Sequence, residues 1–136
     1  MGLCSIPTTV EMASRSYRLL LVEDDPDSAN LLSHYLSAHG VTVERAGDGE
    51  EAWRLFCANP QDIVVTDLML PWVSGAELVG RIRNHTASRN VPIIVTTASL
   101  ASRERSQELT ARLAVEDAFS KPLVLKELLA AVDALV

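Results

Sequence analysis

The feature that most constrains this chain is a series of short apolar runs, each ending in a chemically active side chain. Leu19-Leu20-Leu21-Val22 ends in Glu23-Asp24, and Ile63-Val64-Val65-Thr66 ends in Asp67. Ile93-Ile94-Val95-Thr96-Thr97 ends in hydroxyls, and the brief Ala118-Phe119-Ser120 ends in Lys121-Pro122. Runs this short and this rich in branched residues read as buried strands. With the alternating Val41-Thr42-Val43-Glu44 they predict five strands, separated by segments of helical periodicity. Strand and helix alternating in this way imply a parallel sheet covered by helices on both faces. Such open sheets keep their ligand sites beyond the C-terminal ends of the strands. Acid pair, acid, hydroxyl and lysine all fall there.

The connecting segments carry their own signals. Asp25-Pro26 is a helix start, a capping carboxylate followed by proline at the first helical position. The helix it opens is expected to carry Leu31, Leu32, Tyr35 and Leu36 on one face and to stop at Gly40. Gly47-Asp48-Gly49 reads as a turn, and Glu50 and Glu51 open a second helix near the positive end of its dipole. Pro71 and Gly75 mark a loop after Asp67, with helix from about Ala76 to Asn84. The stretch from His85 to Asn90 reads as a polar connection. A charged helix runs roughly from Ser102 to Leu113, and Leu125, Leu128, Leu129, Val132 and Leu135 stripe a closing one.

Composition narrows the function classes. The 136 residues suit one domain, and a hydrophobic fraction of 48% supports a core without metal or disulfide staples. A formal net charge of −6 opposes direct nucleic-acid binding, and no apolar stretch is long enough to span a bilayer. Cys4 and Cys57 read as free thiols of a reducing, cytoplasmic setting. Residues 1–16 read as a disordered extension, with Met12 an alternative start, ahead of one domain over residues 17–136. His34, His39 and His85 fall at none of the strand ends and read as surface residues, while Trp53 and Trp72 read as packing or partly exposed aromatics.

From about Tyr17 onward the chain resembles the receiver domain of bacterial two-component response regulators. Val22-Glu23-Asp24-Asp25 looks like the family's acidic pair, and Asp67-Leu68-Met69-Leu70-Pro71 with Gly75 looks like its phosphoacceptor loop. Thr97-Ala98 matches the switch threonine and its small neighbour; Lys121-Pro122 matches a pair usually joined by a cis peptide bond. The resemblance implies a flavodoxin-like (βα)5 three-layer sandwich with strand order 2-1-3-4-5. It implies Asp67 as phosphoacceptor, and Thr97 hydroxyl, Ala98 N–H and Lys121 as the groups that bind the phosphoryl oxygens. Three carboxylates in one place repel by ~4 kcal/mol per pair at about 4 Å and an effective dielectric of ~20. Lys121 offsets one charge and a divalent cation offsets two more. An all-oxygen site that keeps several waters suits Mg²⁺, with Asp24, Asp67 and the Met69 carbonyl as ligands and Glu23 acting through water.

The implied partners are a sensor histidine kinase or phosphotransfer protein and a downstream effector domain or protein, with a homodimer through the face from Ser102 to Leu135. The chain departs from the family in three places. Ala118 stands where an aromatic is usual, Ala114 stands where glycine is common, and the interval from Thr97 to Lys121 is about two residues longer than usual. Phe119 is one residue displaced and, by strand alternation, faces the other way. Met69 and Ser99 occupy the family positions that border the path of a hydrolytic water. The missing aromatic keeps a second reading open, a pseudo-receiver that binds a partner without phosphorylation. A third, a Mg²⁺-dependent phosphatase, is opposed by Met69, which stands where such enzymes need a second acid. On the main reading the domain catalyses only its own phosphorylation and dephosphorylation.

Overall fold

The structure, a computed structural model, describes residues 15–98 and 103–136. Five strands alternate with five helices: β1 (Arg18–Val22), α1 (Pro26–Ala38), β2 (Thr42–Ala46), α2 (Gly49–Ala58), β3 (Ile63–Asp67), α3 (Gly75–Asn84), β4 (Ile93–Thr97), α4 (Arg103–Leu113), β5 (Asp117–Ser120) and α5 (Leu125–Leu135). All strand pairs are parallel and the sheet order is β2-β1-β3-β4-β5, the expected flavodoxin-like arrangement. Of the expected extension, residues 1–14 lie outside the described residues, as do Ser99 and the expected helix start at Ser102. Arg15 is described, and its backbone N–H donates to the Gly40 carbonyl.

Alternation along the strands splits the core in two. Leu20, Val22, Val64, Ile93, Val95 and Ala118 face Ala52, Phe56, Leu78, Val79 and Ile82, under α2 and α3. Leu19, Leu21, Ile63, Val65 and Ile94 face Leu32, Leu36, Leu128, Leu129 and Val132, under α1 and α5. Phe119 packs with this second set, one residue away from Ala118 and on the opposite face, as the period of two requires. Every residue of β3 and β4 is buried, the condition of central strands covered from both sides.

The helix starts follow the sequence signals closely. Asp25 caps α1 by accepting from the Ser28 N–H at 3.0 Å, with Pro26 at the first helical position. Asp48, expected in a turn, is the cap of α2, accepting from the Glu51 N–H at 2.7 Å; Glu51 reaches back to the Gly47 N–H at 2.8 Å. That exchange resembles a capping box. One expectation is corrected. Leu31 does not join the buried stripe of α1, which is Ala29, Leu32 and Leu36, at spacings of three and four. Leu31 lies about one residue's rotation, ~100°, off that stripe and is 60% exposed. The connection after α3 is also more ordered than a polar linker. It holds a short 3-10 turn, Thr86–Ser88, whose buried Ser88 hydroxyl donates to the Ile82 carbonyl at 3.0 Å.

Two side-chain assemblies tie distant segments together, and a third packs within α2. Arg15 and the Tyr17 hydroxyl both donate to Asp133 in the last turn of α5. The Arg15 hydrogen bond holds the Asp133 carboxyl below its usual range, although burial opposes it. Arg83 spans the far end of the sheet, donating to the carbonyls of Ala114, Arg89 and Val91 and to Glu116, which also accepts from the Ile93 N–H at 2.7 Å. Trp53 stacks on Phe56 with centroids 6.4 Å apart.

Two positions set by backbone geometry make opposite predictions. Ala114, after the last turn of α4, has φ 59°, and the Val115 N–H donates back to the Thr110 carbonyl, a six-residue closure that glycine normally makes. Ala114→Gly should raise the free energy of unfolding by about 1 kcal/mol in urea titration, because a left-handed alanine is strained. At Gly75, a Cβ would lie 2.2 Å from the Asp67 carbonyl oxygen and 2.7 Å from the Leu68 Cα. Gly75→Ala should lower it by about 3 kcal/mol, because the atoms it meets are backbone and cannot turn aside.

Candidate functional site

The site lies where the sequence places its acids, at the C-terminal ends of β1, β3, β4 and β5. Backbone bonds carry the sheet past its strand ends and hold the loops in register. Glu23 N–H donates to the Ala46 carbonyl, Leu68 N–H to Thr96, and Lys121 N–H to Thr97, at 3.0, 3.0 and 2.9 Å. The Asp67 carboxylate therefore leaves a fully paired central strand rather than a free loop. The loop after it closes at its base through Gly75 N–H to the Leu68 carbonyl at 3.0 Å. It packs so tightly on α2 that a Cβ at Gly49 would lie 2.0 Å from the Val73 carbonyl oxygen.

Glu23 and Asp67 are buried, at 4% and 6% exposure, while Asp24 is exposed. Lys121 lies between the two buried acids, with Nζ 2.6 Å from Asp67 Oδ2 and 2.9 Å from Glu23 Oε1. Burial alone would lower the Lys121 ammonium, yet the hydrogen bonds and charges of Asp67 and Glu23 outweigh it and hold it above the ordinary lysine value. The remaining carboxylate oxygens are also engaged. Asp67 Oδ1 accepts from the Met69 N–H at 3.0 Å, and Glu23 Oε2 from the Asp25 N–H at 3.2 Å. Thr97 is buried at the end of β4 and Ala98 follows it, exposed. The Lys121-Pro122 peptide is cis, as expected.

Glu23, Asp24 and Asp67 each bring a carboxylate oxygen into one cluster whose atoms lie within 4.8 Å of one another. That donor set is hard, anionic and all oxygen, which fits a small divalent cation such as Mg²⁺ and not a soft metal. One ammonium against three carboxylates leaves an excess of negative charge that a cation would remove.

Ser99 is outside the described residues; among those described, the acid pair Glu23 and Asp24, the expected acceptor Asp67 with Met69, the Thr97-Ala98 pair and Lys121 thus lie at one mouth. Its roles for Gly49 and Gly75, as points of closest backbone approach, were not visible, because a glycine in a loop also serves as an ordinary turn residue. The capping pair Asp48 and Glu51, three apart, was the available signal that Gly49 lies inside a helix and not in a turn. Beside the mouth, a cleft of about 420 Å³ is lined by Leu31, Leu32, Pro122, Leu123 and Leu125, with Glu23 and Lys121 at its charged end. Among the histidines, His34 and His85 are exposed and His39 is half-buried, with Nδ1 2.9 Å from the Tyr35 carbonyl oxygen. Cys57 is a free, exposed thiol on α2.

Comparison with known proteins agrees with this geometry. A family model described as the response regulator receiver domain matches residues 19–133. The chain is 39% identical over 119 residues to an uncharacterized transcriptional regulatory protein, YrkP, of Bacillus subtilis (strain 168), covering 88% of this chain and 49% of that one. It is 37% identical over 121 residues to the response regulator MprA of Mycobacterium ulcerans (strain Agy99), covering 89% and 50%. The chain spans about half the length of these curated relatives. Among solved structures, the receiver domain of the Francisella response regulator 1452 superposes with a TM-score of 0.79 at 29% identity, covering 88% of this chain and 96% of that one. Fold, site and relatives agree: the chain belongs to the response regulator receiver domain family.

Proposed function

We propose that this receiver accepts a phosphoryl group on Asp67 from a phosphohistidine and uses it to switch its interactions with partners. The observation that carries this reading is the Lys121 bridge across a cluster of three carboxylates, with Asp67 as the central member. Lys121 Nζ donates to Asp67 Oδ2 at 2.6 Å, which sets a positive charge beside the carboxylate that would act as nucleophile. In the transfer, an Asp67 oxygen bonds to phosphorus as the phosphorus–nitrogen bond of the donor breaks. The imidazole leaves with the bonding pair and takes a proton from solvent. Phosphoryl transfer has charge spread over equatorial oxygens, so catalysis is mainly positioning and electrostatics. The Lys121 ammonium serves one oxygen, and the Thr97 hydroxyl with the Ala98 N–H serves another. Mg²⁺ held by Asp24, Asp67 and the Met69 carbonyl, with Glu23 acting through water, would supply the remaining positive charge.

On this reading the domain catalyses its own phosphorylation and dephosphorylation and converts no external metabolite. Its donor is a sensor histidine kinase or phosphotransfer protein, and its output a downstream effector domain or protein. A cytoplasmic setting suits both the donor and the free thiol of Cys57, and no described helix is long and apolar enough to cross a membrane. A homodimer would use the surface of α4, β5 and α5. The second reading, a pseudo-receiver independent of phosphorylation, draws on Ala118, which gives the α2–α4 face no ring to couple to Thr97.

One experiment separates the two. Incubation with acetyl phosphate and Mg²⁺ should add ~80 Da, one phosphoryl group, to the intact mass, and Asp67→Asn should abolish the gain. An unmodified wild-type chain would favour the pseudo-receiver, and a gain that persists in Asp67→Asn would move the acceptor elsewhere.

A further inference from the structure

Trp72 is the most exposed large hydrophobic residue of the described chain, at 87%, and it stands in the loop that leaves Asp67. Its backbone is left-handed, with φ 66°. Glycine or asparagine would hold that turn without the steric penalty that a bulky side chain meets there. The indole belongs to neither apolar cluster, so packing within the described residues does not account for it. Strain maintained together with exposure marks a side chain kept for something outside the fold.

Its surroundings say what that is. Five large hydrophobics are exposed among the described residues: Leu31, Met69, Trp72, Val124 and Val136. Four of them flank the mouth. Met69 and Trp72 follow Asp67 in its loop, Val124 is three residues past Lys121, and Leu31 lines the cleft that Lys121 ends. Asp67 is 6% exposed, so a donor group carried on a protein must be lowered past this rim to reach it. Charge does not help that approach. The donor group is anionic, the chain carries −6, and Glu23, Asp24, Asp25 and Asp27 stand at the mouth or just beyond it. Attraction at the rim must then come from apolar surface removed from water, and a tryptophan is the side chain best suited to that work.

Resting on the phosphoacceptor reading above, we propose that Trp72 is the docking anchor for the phosphohistidine-bearing protein that serves Asp67, and that it sets which donor protein is accepted. The ring lies over the partner's surface beside the histidine and touches neither the phosphoryl group nor the cation. A small donor such as acetyl phosphate has no surface for it to hold.

The test compares the full chain with Trp72→Asn, which keeps the left-handed turn, and Trp72→Gly, which relaxes it. Each is labelled by acetyl phosphate and by every autophosphorylated histidine kinase encoded in the same genome. The kinase that labels the wild-type chain fastest should label both variants roughly tenfold more slowly, with acetyl phosphate labelling unchanged within about twofold. Trp72→Gly should also raise the urea midpoint, which excludes misfolding as the cause. Equal kinase rates in wild type and variants would overturn the proposal. So would an equal loss with both donor types, which would make Trp72 part of the Asp67 pocket. If no kinase labels the wild-type chain while acetyl phosphate does, the docking proposal fails and the acceptor reading stands. Failure of every donor removes both.

Discussion

The Lys121 ammonium, 2.6 Å from Asp67 and 2.9 Å from Glu23, is the contact on which the rest of the mouth depends. Without it, two buried carboxylates that close to one another would face each other's repulsion with no cation between them. The bridge joins the ends of β1, β3 and β5. It works because the backbone brings each group there first. Leu68, Lys121 and Glu23 each donate a ladder-like hydrogen bond just beyond a strand, so the charged groups hang from a continued sheet. Hydrogen bonds to ionised partners are roughly twice as strong as neutral ones, which offsets the cost of burying Asp67 and Glu23.

The Asp67 loop shows how packing and chemistry are linked. Gly75 and Gly49 let it lie against the end of β3 and the first turn of α2, at distances that no Cβ would permit. The loop is thereby pinned at both sides while its tip, Pro71-Trp72, is presented to solvent. The same economy is absent after α4, where Ala114 takes a left-handed turn that glycine would take without strain. Ala118 likewise leaves the α2–α4 face with a methyl group where a ring would bulk it out, and Phe119 adds its ring to the α1–α5 core instead.

Much of this was legible in the sequence because it rests on local signals. Runs such as Ile63 to Thr66 announce a buried strand, Asp25-Pro26 announces a capped helix, and a strand-end position places Asp24, Asp67, Thr97 and Lys121 together once the sheet is parallel. What stayed hidden depends on contacts between distant segments. Arg83 and Glu116 meet across 33 residues, and nothing in either neighbourhood marks them as partners. Leu31 was misplaced for a related reason. Adjacent residues lie ~100° apart on a helix; Leu128 and Leu129 of α5 are both buried, whereas only Leu32 of the Leu31–Leu32 pair is, and packing against the sheet decides the difference. The left-handed turn at Trp72 had no signal either, since its residue is the kind that usually avoids that conformation.

Lys121 holds the carboxylate cluster against its own repulsion, and the Mg²⁺ of the proposed function would do so further. The measurement that tests this most directly is urea unfolding of the wild-type chain and of Lys121→Met, each with and without Mg²⁺. Without Mg²⁺, Lys121→Met should lose ~3 kcal/mol, because two buried carboxylates are left unpaired. Mg²⁺ should stabilise both proteins, as any ligand of the folded state does, and the increment should be larger in Lys121→Met. Equal stabilities without Mg²⁺, or no response to Mg²⁺ in either protein, would contradict the account.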